Sequence, residues 1–504
     1  MRVKIENISR KIIEFSFYAL FFLTPILWSP FNSELYELPK MFFVWAVTII
    51  ITGAWAIRCV ACGRLVFRST LLDTPILLFL LIQLISYSLS IDRYTSLWGY
   101  YSRFNGGLLS LIAYCLLYWA YVSNLEIRNT KYAIRFLLAS AFLIAIWGIP
   151  AHFGYDPTCF VLKQEFTTAC WSAQFIPTER IFSTLGQPNW LAAYLVAIAP
   201  LSWAMMLNLK FEIRNLKFIL YSLISILLLL AIYFTRSQSG FIGLSVATVV
   251  FISGYLILKL KIKLTKISLI ATGGLLLIVG AAAIPKIKPV DHCLRILTTN
   301  YQLPATDVTP SADIRCIVWK GAIEIWKHHP ILGTGPETFA YAYYNFKPPE
   351  HSLTSEWDHL YNKAHNEYLN YLANTGIFGL AAYLLLISVA LWQLGNLALR
   401  YKTLKAQEPN SLTALALTAG YVSILATNFF GFSVVPVALM FLLLPAMAVV
   451  LVNGERLSHI RLQKFHFPIS HILVLAILLS TFYILNSTFR FYTADIHLAN
   501  SQKL

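Results

Sequence analysis

The residues able to carry acid–base or phosphate chemistry are few, and they sit at the ends of apolar runs. His365-Asn366 stands where a long polar stretch gives way to an apolar one. Three arginines face the same compartment: Arg180 in TERIFS and Arg236 in TRSQSG beside apolar runs, and Arg315 in DIRCIV within the long polar stretch. None has an acidic partner that the sequence makes visible. The pattern places His365 in the first turn of a helix, whose partial positive end keeps an imidazole neutral. A neutral imidazole is what a general base must be. A guanidinium can meet a phosphate with two parallel hydrogen bonds. Arg236 is the most informative of the three, because charge wedged between two apolar runs is costly in or near lipid. The bland alternative, a polar residue snorkelling from the membrane edge to water, applies to His365 and to Arg236.

Several familiar signatures are missing. There is no GxxxxGK[ST] and no HExxH. No Asp-x-Asp lies in an outward loop to hold a metal-bound diphosphate, so neither a metal nor a cofactor is expected. Gly333-Thr334-Gly335 is a weak glycine signal that a turn explains equally well. Cys59 and Cys62 form a C-x-x-C with no second pair to complete a zinc site, and read as incidental thiols. Cys159, Cys170, Cys293 and Cys316 lie in outward loops, where an even number permits disulfides. Cys159 with Cys170 is the more plausible pair, since one loop holds both.

The elements that position these residues follow from composition. Of 504 residues, 58% are hydrophobic and 12% charged, and the mean hydropathy is +0.65. A soluble domain carries roughly 25% charge, so this chain reads as an all-α polytopic membrane protein. Disordered, coiled-coil, disulfide-scaffold and secreted-enzyme classes are excluded. The net charge of +16 reflects basic cytoplasmic loops rather than nucleic-acid binding.

A span needs about 20 apolar residues. Thirteen candidates occur, near 12–28, 41–57, 72–90, 107–123, 133–150, 189–207, 217–234, 240–258, 266–284, 368–394, 411–430, 434–452 and 468–486, so twelve to thirteen spans are expected. Arg2, Lys4, Arg10 and Lys11 precede the first, and no small-residue cleavage site follows it, so it should stay as an anchor. With the N-terminus inside, the cytoplasmic segments carry 23 Lys+Arg and the outward ones 16, eight of them in the loop 285–367. Long loops translocate regardless of charge, so the bias supports this orientation. The membrane unit is then 1–486, with 285–367 as its large extracytoplasmic loop and 487–504 as a short outward tail. The other long outward loop is 151–188. Within the large loop, 313–328 reads as an amphipathic helix resting on the membrane surface. Thr334-Gly335-Pro336-Glu337 reads as the start of another helix.

These residues resemble a known family. His365-Asn366, nine residues, Gly376, two residues and Gly379 is similar to a signature shared by O-antigen ligases, the related O-antigen polymerases and bacterial protein O-oligosaccharyltransferases. Arg315 to Phe339 resembles that family's loop helix followed by its hPxxGxGxxxF run. Arg180 to Asn189 resembles the stretch before its central spans, and Thr235 to Leu244 its Arg-Ser turn. The resemblance covers roughly 180–390. It implies a metal-independent, inverting membrane glycosyltransferase of the GT-C type. Such an enzyme moves a glycan from a polyprenyl diphosphate to an acceptor hydroxyl of a lipid, glycan or protein. It works at the outer face of the cytoplasmic (inner) membrane. By position His365 would match the family's essential His, and Arg236 and Arg315 its two essential arginines. Arg180 is a weaker match. Two other readings stand beside this one. A polymerase would extend a lipid-linked glycan. A transporter or flippase of such a glycan would place ionisable residues in the middle of several spans, and these spans are nearly free of them.

Overall fold

In a computed structural model the chain is a bundle of helices. Residues 2–171, 176–209, 215–259, 288–298, 309–399, 408–453 and 471–501 are described. The helices are α1 (Arg2–Leu23), α2 (Glu37–Cys62), α3 (Asp73–Ser88), α4 (Arg93–Trp98), α5 (Leu108–Asn124), α6 (Ile127–His152), α7 (Pro157–Lys163), α8 (Pro188–Leu207), α9 (Leu216–Phe234), α10 (Gln238–Lys259), α11 (Lys288–Thr298), α12 (Ser311–His328), α13 (Phe339–Phe346), α14 (Glu367–Leu399), α15 (Glu408–Phe429), α16 (Val435–Asn453) and α17 (His471–Ser501).

Twelve of the thirteen expected spans correspond to helices. The thirteenth, 266–284, lies outside the described residues. Among the described residues nine helices are long and apolar enough to cross a membrane: α2, α6, α8, α9, α10, α14, α15, α16 and α17. Helices α3 and α5 are apolar but have 16 and 17 residues, and α1 begins on a charged turn. The protein is therefore an all-helical polytopic membrane protein.

Local chemistry sets the helix ends. Pro188 opens α8 where its missing N–H costs nothing. The Asn215 side chain accepts from the Lys217 amide at the start of α9. Gly63 closes α2 in the left-handed conformation. α8, α15 and α16 form the buried centre, while α9, α10 and α17 turn apolar side chains such as Ile226, Val249 and Phe482 outward. In a lipid solvent such side chains need no protein cover.

Two expectations for the large loop change. The apolar stripe of α12 does not rest on a membrane surface. Ile314, Val318, Ala322 and Ile325 pack against Phe339, Tyr343, Tyr361, Ala364 and Ala373 of the same chain. A stripe of that width is satisfied as well by a protein groove as by lipid, and the groove here is built by α13 and α14. The Thr334–Glu337 segment is a turn and no helix start. Glu337 has φ of +61°, and α13 begins at Phe339. Glu337 turns its carboxylate inward to an ion pair with Lys363 instead of capping a helix.

The turn is held by a break in α14. Gly376 adopts φ 65° and ψ −166° inside that helix, and the chain 330–335 lays its backbone into the gap. Ile377 N–H donates to the Pro330 carbonyl (2.9 Å), and Gly335 N–H donates to that of Asn374 (2.8 Å). A Cβ at Gly333 would strike the Asn374 backbone, and one at Gly376 the Ile331 backbone. Only glycine permits two main chains to approach this closely. The same run also bonds to the end of α3 and to α4. Ser86 donates to the Leu332 carbonyl (2.8 Å) and Ser96 to that of Pro336 (2.8 Å).

Candidate functional site

The HisAsn pair divides two tasks. Asn366 is the cap of α14, its Oδ1 accepting from the Tyr368 and Leu369 amides at 3.0 and 3.1 Å. His365 therefore lies just ahead of the helix and not in its first turn. It holds a left-handed φ of +53°, rare for a residue with a side chain. Its ring stands edge-on to Tyr361 and Phe432, with centroids 5.3 Å from each. Burial first, then the charges of Arg315 and Arg103 and the nearby His359, push the imidazole down to about 3. The neutral ring expected from a helix dipole is thus present for a different reason: it is desolvated and faces guanidinium groups.

Arg315 projects from α12 into this region. Burial lowers its guanidinium; Arg180 acts in the same direction, against Tyr361 and Glu356. The carboxylate of Glu356 accepts the Tyr361 hydroxyl proton, so Arg315 has an acidic neighbour that the sequence did not reveal. Tyr361 is held far above its ordinary range by burial, with Glu356 adding; it stays a neutral phenol.

Arg180 ties two elements together. Its Nε donates to the Thr235 carbonyl (3.0 Å) and a terminal nitrogen to Asn189 Oδ1 (3.1 Å). Asn189 Oδ1 also accepts from Ser237 (2.7 Å). The start of α8 and the α9–α10 turn are thereby clamped. Arg236 sits in that turn, one residue beyond the carbonyl that Arg180 grips. It has a left-handed φ of +47° and an exposed side chain. Arg180, Arg315 and His365 thus converge, while Arg236 stands at the edge with its guanidinium free for another partner.

Sequence reasoning missed Arg103. It lies between α4 and α5, where Ser102, Phe104 and Gly106 all have positive φ. Asn105 anchors this turn by donating to the Ser433 carbonyl (3.0 Å) and accepting from the Tyr114 hydroxyl (2.9 Å). The Arg103 guanidinium lies over Trp190 and Phe432, 5.1 and 5.7 Å from the ring centroids. One of its terminal nitrogens is buried and unpaired. The signal was available: it is a basic residue in a short loop between spans, the same pattern that singled out Arg236. Lys363, two residues before His365, was also passed over. It forms a 2.5 Å ion pair with Glu337, both side chains being about 95% buried (6% and 5% exposed).

A cleft opens at His365 and is lined by Asn189, Trp190, Ser239, Asn428 and Phe432 among others. Arg103 and Arg180 hold Trp190, Phe432 and Asn189 of its wall, and desolvation and the nearby cations push the His365 imidazole down. Such a place suits an anion beside a group that must lose a proton.

Residues 223–384 match the family model described as O-Antigen ligase. The matched segment contains Arg236, Arg315, His365 and the broken helix at Gly376; Arg180 and Arg103 fall before it. The chain is also similar to a Rickettsia felis (strain ATCC VR-1525 / URRWXCal2) protein named "Putative polysaccharide ligase", with 32% identity over 172 residues. That similarity covers 34% of this chain and 39% of the relative. The O-antigen ligase resemblance drawn from the HisAsn and glycine spacing is borne out over this central segment. Two cysteine pairs are also bonded, Cys159 with Cys170 as favoured and Cys293 with Cys316 in addition. The second joins α11 to α12 and braces the helix that carries Arg315. Cys59 and Cys62 are free thiols.

Proposed function

We propose that the protein is a membrane glycosyltransferase that moves a glycan from a polyprenyl diphosphate to an acceptor hydroxyl at the outer face of the cytoplasmic membrane. The observation that carries this is a half-buried His365 at the cleft, its proton affinity lowered by desolvation and by Arg315 and Arg103, with Arg180 beside Arg315. The disulfides in the loops assigned to the outer side support the orientation, because such bonds persist in oxidising compartments.

A sugar on a diphosphate already has a good leaving group. The acceptor oxygen forms its bond to the anomeric carbon from the face opposite the diphosphate, so the configuration inverts. The anomeric carbon–oxygen bond to the diphosphate breaks, and its electron pair leaves with the diphosphate. The acceptor proton passes to an imidazole nitrogen of His365. The guanidiniums hold the departing charge by electrostatic preorganisation. Arg236, exposed in its turn, is placed to add a bidentate contact as the diphosphate enters.

The depressed His365 has a consequence for timing. With the site empty it is a weak base, because cations face it. A bound diphosphate offsets those cations and raises the basicity of the imidazole. The base is therefore strengthened only when the donor is present, which limits wasteful proton abstraction. Positioned general bases contribute typically 10²–10⁴-fold.

The test is transfer by purified protein in nanodiscs, from an undecaprenyl diphosphate glycan to added acceptor. His365→Ala should lower the rate by about 10²-fold or more while the protein still inserts and elutes as the parent does. A variant of parental rate refutes the base assignment. Movement of the lipid-linked glycan across the bilayer without covalent transfer would instead establish the transporter reading.

A further inference from the structure

A second cavity, between α3, α5, α14 and α16, has Lys363 in its wall. Lys363 Nζ and the His365 ring both lean on Phe432, 5.6 and 5.3 Å from its centroid. Phe432 lines the His365 cleft and Lys363 lines the larger space.

The polar wall carries Gln83, Glu337, Lys363, Glu367, Asn370 and Asn374. Four polar atoms on it have no partner: Oε2 of Glu337, Oε2 of Glu367, Oδ1 of Asn374 and Nε2 of Gln83. Their residues are 5%, 9%, 3% and 1% exposed. Buried polar atoms are almost always satisfied, because one left without a partner keeps its full desolvation cost. Four on one cavity wall therefore call for a ligand that supplies their bonds.

The unmet demand is mixed, with three acceptors and one donor. An anion would only accept, and would meet two carboxylates. An ammonium would only donate; it would leave Gln83 unmet and approach the Lys363 charge. The aromatic side gives it no seat, because Tyr371 and Tyr383 stack face to face at 4.3 Å and Tyr383 stacks on Phe441 at 5.5 Å. Hydroxyl groups both donate and accept, and a polyol carries several of them on a small frame.

We propose that this cavity is a subsite for a sugar ring of the acceptor, held by Glu337, Glu367, Asn374 and Gln83 beside Lys363. That it belongs to the acceptor rests on the glycosyl-transfer reading, since Lys363 and His365 pack against the same Phe432 ring. That it binds a sugar does not.

The experiment is saturation-transfer NMR on the full chain in nanodiscs. The probes are methyl α-D-glucopyranoside and the methyl glycoside of N-acetylglucosamine, at millimolar concentration. Ring-proton saturation is expected in the parent and in His365→Ala. It should fall at least fivefold in Glu367→Gln and in Gln83→Leu, the second of which removes no charge. Elution and thermal unfolding identify a misfolded variant, in which case the other decides. Saturation absent from the parent, undiminished in the folded variants, or abolished by equimolar methylammonium overturns the sugar subsite. Glycoside binding without transfer from a polyprenyl diphosphate would leave the subsite standing and refute the enzymatic reading. Transfer without glycoside binding would do the reverse.

Discussion

Replacing His365 with glutamine should make the protein less sensitive to acid than its parent. The folded chain holds this imidazole at about 3, through burial first and then the charges of Arg315 and Arg103 and the nearby His359. The unfolded chain titrates it near 6.5. A histidine with a depressed folded value favours unfolding wherever only the unfolded state takes up the proton. The penalty is small at pH 7 and grows as pH falls through 6.5 towards 3. Linkage gives about 2 kcal/mol at pH 5 and a few tenths at pH 7. Glutamine keeps a polar side chain of similar reach and takes up no proton. The stability difference between variant and parent should therefore move by about 2 kcal/mol in favour of the variant between pH 7 and pH 5. Other titrating groups cancel in that difference. Equilibrium unfolding in dodecyl maltoside with rising dodecyl sulfate, at both pH values, measures it. Parallel acid responses in the two proteins would refute the account of a desolvated imidazole facing cations. Saturating pyrophosphate should narrow the gap, since an anion among the arginines restores proton affinity.

Lys363→Met strands the Glu337 carboxylate and should cost roughly 3–5 kcal/mol in the same unfolding assay. The double variant Lys363→Met/Glu337→Leu should recover most of that loss, and a double variant no more stable than the single would show the pair is not coupled. Arg315→Lys should lose most of its transfer rate although the charge remains, because a point charge replaces a planar fork; near-parental rates would mean that Arg315 supplies only general positive potential. An introduced cysteine at Asn345 should react with an impermeant maleimide in intact cells, and labelling only after permeabilisation would invert the topology. Thiol alkylation at Cys159 and Cys170 should require reductant, and transfer should survive their joint replacement by serine.

Much of the membrane frame was legible because a span announces itself by length and hydropathy alone. The HisAsn and glycine spacing was legible through its resemblance to a family signature, whereas the capping by Asn366 and the main-chain approach at Gly376 came only with the structure. What failed was anything set by tertiary partners. The α12 stripe shows an apolar face but not whether lipid or Tyr343 and Phe339 cover it. Thr334–Glu337 carries the letters of a helix start, and an inward ion pair to Lys363 overrode them. Arg103 carried the loop-charge signal, but nothing local says that its guanidinium lies over Trp190 and Phe432. The neutral state of His365 was foreseen from a helix dipole, whereas its cause is burial among cations brought from distant segments.

The backbone seam between 330–335 and the break in α14 also constrains how the protein is made. The docking strand is synthesised some forty residues before Asn374–Phe378, the acceptor into which it must fit. Until α14 has left the ribosome and entered the bilayer, the loop has nowhere to place those amides. The helix in turn cannot remain straight once the strand arrives, because Gly376 must leave helical geometry to admit it. Assembly of this seam beside the candidate site is thus a late, coupled event. A chain truncated before Gly376 would carry His365 and every arginine of the site and still lack the surface on which they are aligned.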